Sequence, residues 1–186
     1  MGDVRITSGR LRGRRIRAPE GKGTRPLLTR VRKSLVDILR PRLQSAKVLD
    51  LFSGSGAIAF ELLSNGAARA TAVEIDREAA ALIRKTAEEL GLDVEVLEAD
   101  AVVAVHSFAQ RGDTFDVIVV APPYGFGFQE GILEALERTS ILAKTGLVTV
   151  QRDAREPSVR PIRRYRITQT RTYGRTVFDF YEEGDP

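Results

Sequence analysis

Two hydrophobic rhythms run along the chain. From residue 47 onward, short apolar runs of the kind shown by strands buried on both faces are separated by longer stretches with apolar positions at helical spacing. The pattern predicts strand 47–51, helix 56–64, strand 70–75, helix 77–90, strand 94–98, helix 101–110 and strand 116–120, then helix 128–138 and strand 146–151. Gly66 and Gly91 fall where helices should stop. Such alternation predicts an α/β protein with a Rossmann-like, doubly wound, mostly parallel sheet. The chain ends differently. R-Y-R-I-T-Q-T-R and T-V-F-D-F-Y alternate with period two around Tyr173-Gly174, which predicts an antiparallel C-terminal hairpin at one edge.

Ahead of this core lies another kind of segment. V-R-I-T and R-R-I-R alternate apolar and basic residues around S-G-R-L-R-G, so residues 1–26 read as an irregular or hairpin-like arm, with Pro19 to Pro26 irregular. Thr29 is placed to cap a helix through about Leu39, with Val31, Leu35, Ile38 and Leu39 on one face and Arg30, Arg32 and Lys33 elsewhere. Pro41 ends it. The segment is too short and too charged to stand alone. The expectation is one domain over residues 1–186, made of a basic extension (1–42) lying over the active-site edge and a core (43–186).

Charge sharpens the division. Residues 1–42 carry 13 Lys/Arg against 3 Asp/Glu, whereas residues 43–151 carry 8 against 16. Residues 152–175 return to a balance of +6, and the last eleven contribute −4. An acidic body with basic flanks, rich in arginine, suits a polyanion partner whose phosphates the guanidinium groups can fork. Of 186 residues none is Cys and one is His, His106, expected on a helix face near the surface. That excludes disulfides, thiolate metal sites and a cysteine nucleophile, and leaves little for a zinc site. No apolar run approaches the roughly 20 residues that span a bilayer, and M-G-D-V-R lacks an apolar signal core, so a cytoplasmic protein is expected.

The chemistry concentrates in V-L-D-L-F-S-G-S-G, residues 48–56. An apolar strand turns through Gly54 and Gly56 into a helix, which is the nucleotide-binding opening of an α/β sheet. Gly54-x-Gly56-x-x-Ala59 also satisfies the dinucleotide fingerprint, with Glu74 where a ribose-binding acid belongs. Asp50 argues against that ligand, because a pyrophosphate on this loop would meet its carboxylate. S-adenosylmethionine has an ammonium, a sulfonium and no phosphate, so the same carboxylate would welcome it. Glu74 is then the acceptor for the ribose hydroxyls and Asp100, in E-A-D-A, for the adenine amine.

A second motif follows the apolar strand Val117–Val120: A-P-P-Y, residues 121–124. Two prolines remove two backbone donors, so the loop offers carbonyl oxygens without competing N–H groups. Tyr124 adds an aromatic face able to stack on a planar base. The combination suits an exocyclic amine.

Together these segments resemble the RsmD-type methyltransferases, which methylate the N2 amine of a guanine in bacterial small-subunit ribosomal RNA. The resemblance rests on R-I-T-S-G-R-L-R-G-R-R-I (5–16), R-P-L-L-T-R-V-R-K-S-L (25–35), V-L-D-L-F-S-G-S-G, V-E-I-D (73–76), A-P-P-Y and Tyr173-Gly174, nearly the whole chain. It implies the class I methyltransferase fold and S-adenosylmethionine as cofactor, held by Asp50, Phe52, Ser53, Gly54, Gly56, Glu74, Ile75, Asp100 and Ala101. Ala121, Pro122, Pro123 and Tyr124 are the implied catalytic residues. Arg10, Arg12, Arg14, Arg15, Arg25, Arg30 and Arg32 are the implied contacts to 16S rRNA or an assembling small subunit. A monomer with no metal and no membrane partner is expected.

Two positions depart from the family pattern. Ala121 stands where the family has Asp, or Asn in related amino-methyltransferases, and Lys33 where it has an acid. Without a side-chain acceptor at 121, holding the amine falls to the carbonyls of Ala121 and Pro122 and to positioning itself, which can supply roughly 7–11 kcal/mol. Three other readings compete. A DNA or RNA amino-methyltransferase with another base target would use the same loop, though 186 residues leave little room for a target-recognition domain. A catalytically weak RNA-binding assembly protein would keep the fold without the acid. An NAD-dependent oxidoreductase is opposed by Asp50 and by the lack of a proton relay.

Overall fold

Strand and helix propensities place the elements almost as their periodicity predicts. The computed structural model describes residues 4–18, 28–159 and 164–184. After the arm strands β1 (Val4–Arg5) and β2 (Arg15–Ile16) come α1 (Thr29–Leu39), β3 (Lys47–Asp50), α2 (Ala57–Ser64), β4 (Arg69–Glu74) and α3 (Arg77–Leu90). They are followed by β5 (Val94–Glu98), α4 (Ala101–Arg111), β6 (Phe115–Val120), α5 (Phe128–Arg138), β7 (Leu142–Asp153), β8 (Tyr165–Tyr173) and β9 (Thr176–Glu183).

The core strands form one seven-stranded sheet in the order β5-β4-β3-β6-β7-β9-β8. Pairings from β5 through β7 are parallel, and β9 lies between β7 and the edge strand β8, antiparallel to both. Strand order reverses between β3 and β6. In such sheets ligands bind in the crevice beyond the carboxyl ends of the strands at that switch point.

The alternation of strand side chains sorts two cores. Leu49, Ile118, Val120, Val148 and Val150 pack under α4 and α5. Val48, Val117, Val119, Leu147, Phe178 and Phe180 pack under α1 and α2. α2 is buried along its whole length, including Glu61. A third cluster joins Ile6 and Ile16 of the arm to Phe60, Ile83 and Ala87 of α2 and α3. No described helix is long and apolar enough to cross a membrane.

The N-terminal segment departs from expectation in three ways. Thr29 is the first helical residue rather than the cap; Leu28 occupies the cap position without a side-chain hydrogen bond, and its carbonyl accepts from the Val31 and Arg32 amides. Arg32 faces inward, because residues 32, 35, 36 and 39 form the buried stripe. The described part of the arm docks on α2 and α3 instead of covering the active-site edge. Its turn is tied to the last residue of α2 by Arg10 N to Ser64 O (2.8 Å) and Leu11 N to Ser64 Oγ (2.9 Å), and its second strand leads to an Arg17–Glu89 pair on α3. The stretch Pro19–Pro26 and Arg25 lie outside the described residues.

Candidate active site

β3 delivers Asp50 to the switch point, buried at 1% exposure. Neither carboxylate oxygen has a hydrogen-bond partner. Burial, only partly offset by the nearby Phe52 amide and Ser53 hydroxyl, pushes this carboxyl up to about 7. An unpaired buried acid is costly unless something cationic or hydrogen-donating joins it.

The glycine turn then wraps this acid. Ser53 Oγ donates to the Asp50 carbonyl (3.0 Å), and Gly56 N to the Ser53 carbonyl (2.7 Å). Gly56 starts α2 with φ 75°, and a Cβ there would meet the Phe60 ring at 2.9 Å, so only glycine fits. From the next strand, Glu74 closes the turn: Oε2 accepts from Gly54 N at 2.6 Å and Oε1 from Asp76 N at 2.9 Å. A carboxylate has about four acceptor sites, so Glu74 keeps capacity for ribose hydroxyls while its position is fixed. Asp100 ends the loop after β5 and caps α4, with Oδ1 accepting from Val102 N and Val103 N. Ala101 opens that helix, buried.

Exposed apolar side chains mark the same edge. Among the described residues the large exposed hydrophobics are Leu28, Ile75, Val103, Tyr124, Phe126 and Phe128. All but Leu28 sit on the segments that follow β4, β5 and β6, at the carboxyl end of the sheet. Ile75, 71% exposed, stands directly after Glu74. Exposed apolar surface gathered in one place marks a ligand site.

The A-P-P-Y loop leaves β6 at this same edge. Pro122 is buried, and Pro123 and Tyr124 are exposed. Tyr124 is fixed through its hydroxyl, 2.9 Å from Thr176 Oγ1, and burial raises its pKa above the usual phenol value. Gly125 N donates to Glu156 Oε1 (2.7 Å), whose other oxygen accepts from Asp153 N (2.8 Å). Asp153 is held well below the usual carboxylate range by the Arg155 amide and guanidinium, and by Arg175. The loop is therefore braced from β7 and β9.

Several residues gathered at this edge escaped the sequence reading. Phe128 lies 5.9 Å from Phe52 and stacks on Phe126 at 5.7 Å, so an aromatic run bridges the glycine turn and the second loop. The spacing G-F-G-F right after Tyr124 could have signalled it. Arg155 and Arg175 bring exposed guanidinium groups next to the brace of Tyr124. Of the arginines assigned to phosphate, Arg10, Arg12, Arg14, Arg15 and Arg30 are exposed. Arg32 is not available: its Nε donates to Glu61 (3.1 Å) and its Nη2 to the Arg5 carbonyl (2.7 Å), with the side chain 3% exposed.

Fit to S-adenosylmethionine follows from these residues. The unpaired Asp50 suits an ammonium, the fixed Glu74 a ribose, and Ile75 a flat base. A pyrophosphate would instead meet two carboxylates, Asp50 and Glu74, across the same turn.

Comparison with known proteins agrees. The family model described as "Conserved hypothetical protein 95" matches residues 4–182. The chain is 36% identical over 151 residues to the ribosomal RNA small subunit methyltransferase D of Escherichia coli, covering 81% of this chain and 75% of that one. It is 28% identical to the putative rRNA methyltransferase YlbH of Bacillus subtilis, over 97% of this chain and 99% of that one. Among solved structures, the putative methyltransferase yhhF from Escherichia coli superposes with a TM-score of 0.86 at 31% identity, covering 100% of both chains. The chain belongs to the conserved hypothetical protein 95 family, in which the small-subunit ribosomal RNA methyltransferases D are its relatives, and it is a methyltransferase.

Proposed function

We propose that this methyltransferase acts on the N2 amine of a guanine in 16S ribosomal RNA, using S-adenosylmethionine. The observation that carries the reading is the placement of two opposite surfaces at one switch point. Asp50, buried and unpartnered, is built to pair with a cation. Across the strand reversal lies a proline pair that offers acceptors and no donors, followed by an aromatic ring. Bound on the first surface, S-adenosylmethionine supplies an electrophilic methyl group.

The residues then divide the work. Asp50 pairs the ammonium, Glu74 and the glycine turn seat the ribose, and Ile75 with Asp100 flank the adenine. Tyr124, immobilised through Thr176, stacks on the target base after it leaves its helix, a step costing a few kcal/mol. The carbonyls of Ala121 and Pro122 accept from the amine, turning its lone pair toward the methyl group. Arg10, Arg12, Arg14, Arg15 and Arg30, with Arg155 and Arg175 beside the loop, hold phosphates. The acidic residues of the core keep the rest of the polyanion at the flanks.

The test uses small-subunit and large-subunit RNA, and DNA, from cells lacking the protein. Incubation with methyl-labelled S-adenosylmethionine should label small-subunit RNA alone or in partly assembled subunits. Label in DNA or in large-subunit RNA instead would refute the substrate assignment.

A further inference from the structure

Strands β6 and β7 run parallel with Val119 opposite Thr149 and Val120 opposite Val150, so the next positions beyond the register are Ala121 and Gln151. Side chains alternate along both strands. Val117, Val119 and Ala121 therefore share the α1/α2 face with Leu147, Thr149 and Gln151. Gln151 is also paired with Phe178 of β9, which belongs to that same core. Its side chain thus stands one strand over from the Cβ of Ala121, about 4.8 Å away in the pairing direction.

Two observations make this neighbour more than packing. Gln151 is buried, at 7% exposure, and its Oε1 has no hydrogen-bond partner. An apolar residue would complete the strand without that unpaired oxygen, as Val148 and Val150 do on the other face. Ala121, meanwhile, opens the loop proposed to hold an exocyclic amine and carries no side-chain acceptor. Thr149 Oγ1 is also unpartnered. It lies two residues deeper, about 6.6 Å down the strand, between Val119 and Phe180, too far inside to meet a base at the edge.

We propose that Gln151 supplies the side-chain acceptor missing at position 121, its Oε1 accepting a hydrogen from the N2 amine of the target guanine. This rests on the guanine reading above and adds a specificity-determining residue to it. Guanine presents N1–H and N2–H2 as adjacent donors, and cytosine or adenine present no such pair. One N2 hydrogen held by Gln151 and the other by the Ala121 or Pro122 carbonyl would leave the nitrogen lone pair free to form the new N–CH3 bond. The methyl–sulfur bond breaks as it forms, and the surplus N2 proton passes to water, because a carboxamide is not a base. Recognition and lone-pair orientation are thereby supplied from β7 in place of the loop after β6.

The experiment compares wild type with Gln151→Leu and Gln151→Glu, on unmodified small-subunit substrate and on RNA carrying inosine, which lacks the N2 amine, at the modified position. Wild type is scored first: no N2-methylguanosine would overturn the guanine reading and this proposal together. With wild type active, Gln151→Leu should lose 10- to 100-fold in single-turnover transfer while S-adenosylmethionine affinity and melting temperature hold or rise. Gln151→Glu, which keeps an acceptor, should retain at least a tenth of the wild-type rate at pH 8. Wild type should bind the inosine RNA several-fold more weakly than the guanine RNA, and Gln151→Leu should keep only the part of that difference that the Ala121 or Pro122 carbonyl supplies. Unchanged transfer and unchanged inosine discrimination in Gln151→Leu would overturn the role of Gln151 alone. So would a loss explained by equal falls in cofactor affinity and melting temperature.

Discussion

Arg32 Nε lies 3.1 Å from Glu61 Oε1, with both side chains almost wholly out of water. The same carboxylate oxygen accepts from the Thr7 amide at 2.7 Å, and the same guanidinium donates to the Arg5 carbonyl. One buried pair therefore fastens α1, α2 and the arm together. Removing one partner strands the other charge, which costs about 3–5 kcal/mol. Arg32→Ala should lower the melting temperature by roughly 10 °C, and Arg32→Met combined with Glu61→Gln should recover most of that loss. Thermal denaturation of the three proteins checks it; a melting temperature unchanged in Arg32→Ala would contradict the structural role.

Phosphate contact makes a second, separable expectation. Affinity for RNA should fall steeply with salt, and each phosphate contact removed should flatten the slope of log K against log salt by about 1. Arg175→Gln and Arg155→Gln should each show that flattening. The Arg32→Met, Glu61→Gln protein should keep the wild-type slope, because Arg32 cannot reach a phosphate. Filter binding across a salt series reads all four.

Asp50 should show a trade between stability and binding. Its folded-state carboxyl lies near 7, above the ordinary value near 4 in the unfolded chain, so the protonated form is favoured on folding. Its contribution to stability is intact below about pH 4 and is lost as pH rises through 7. Asp50→Asn should therefore raise the melting temperature of the ligand-free protein at pH 8, by a stabilisation of at most about 4 kcal/mol, while abolishing S-adenosylmethionine binding. Wild-type affinity should fall about tenfold per pH unit below 7, since pairing with the ammonium needs the ionised carboxylate. Calorimetric titration at pH 6, 7 and 8 tests this, and a flat profile would contradict the pairing.

Tyr124 combines a tether and a ring. Tyr124→Phe cuts only the bond to Thr176 and should cost less than tenfold in transfer rate. Tyr124→Ala removes the stacking face as well, worth about 1–3 kcal/mol per base, and should lower RNA affinity or rate 10- to 100-fold with cofactor affinity intact. Equal effects of the two variants would place the contribution in the hydroxyl.

Much of this arrangement is legible from the residues alone. The rhythm of β3 to β7 reads directly, with α3 and α5 at their observed limits, because buried parallel strands and amphipathic helices leave different periods. The turn that Asp50, Gly54, Gly56 and Glu74 build is legible because its spacing is local to two adjacent strands. What hides is set by contacts distant in sequence. Arg32 looks like one more surface cation until residues 32, 35, 36 and 39 are seen to share a stripe, and Glu61 inside an otherwise apolar helix is the complementary sign. The docking of the arm on α2 and α3 depends on Ser64 and Glu89, more than 50 residues away. Gln151 becomes visible only through the register of β6 with β7, which no sequence period encodes.

The most direct measurement is nucleoside analysis of small-subunit RNA labelled by this protein with methyl-labelled S-adenosylmethionine. The account predicts label in N2-methylguanosine, lost when Asp50 is replaced by Asn. Label in another methylated nucleoside, or none from a protein that binds both S-adenosylmethionine and RNA, would contradict it.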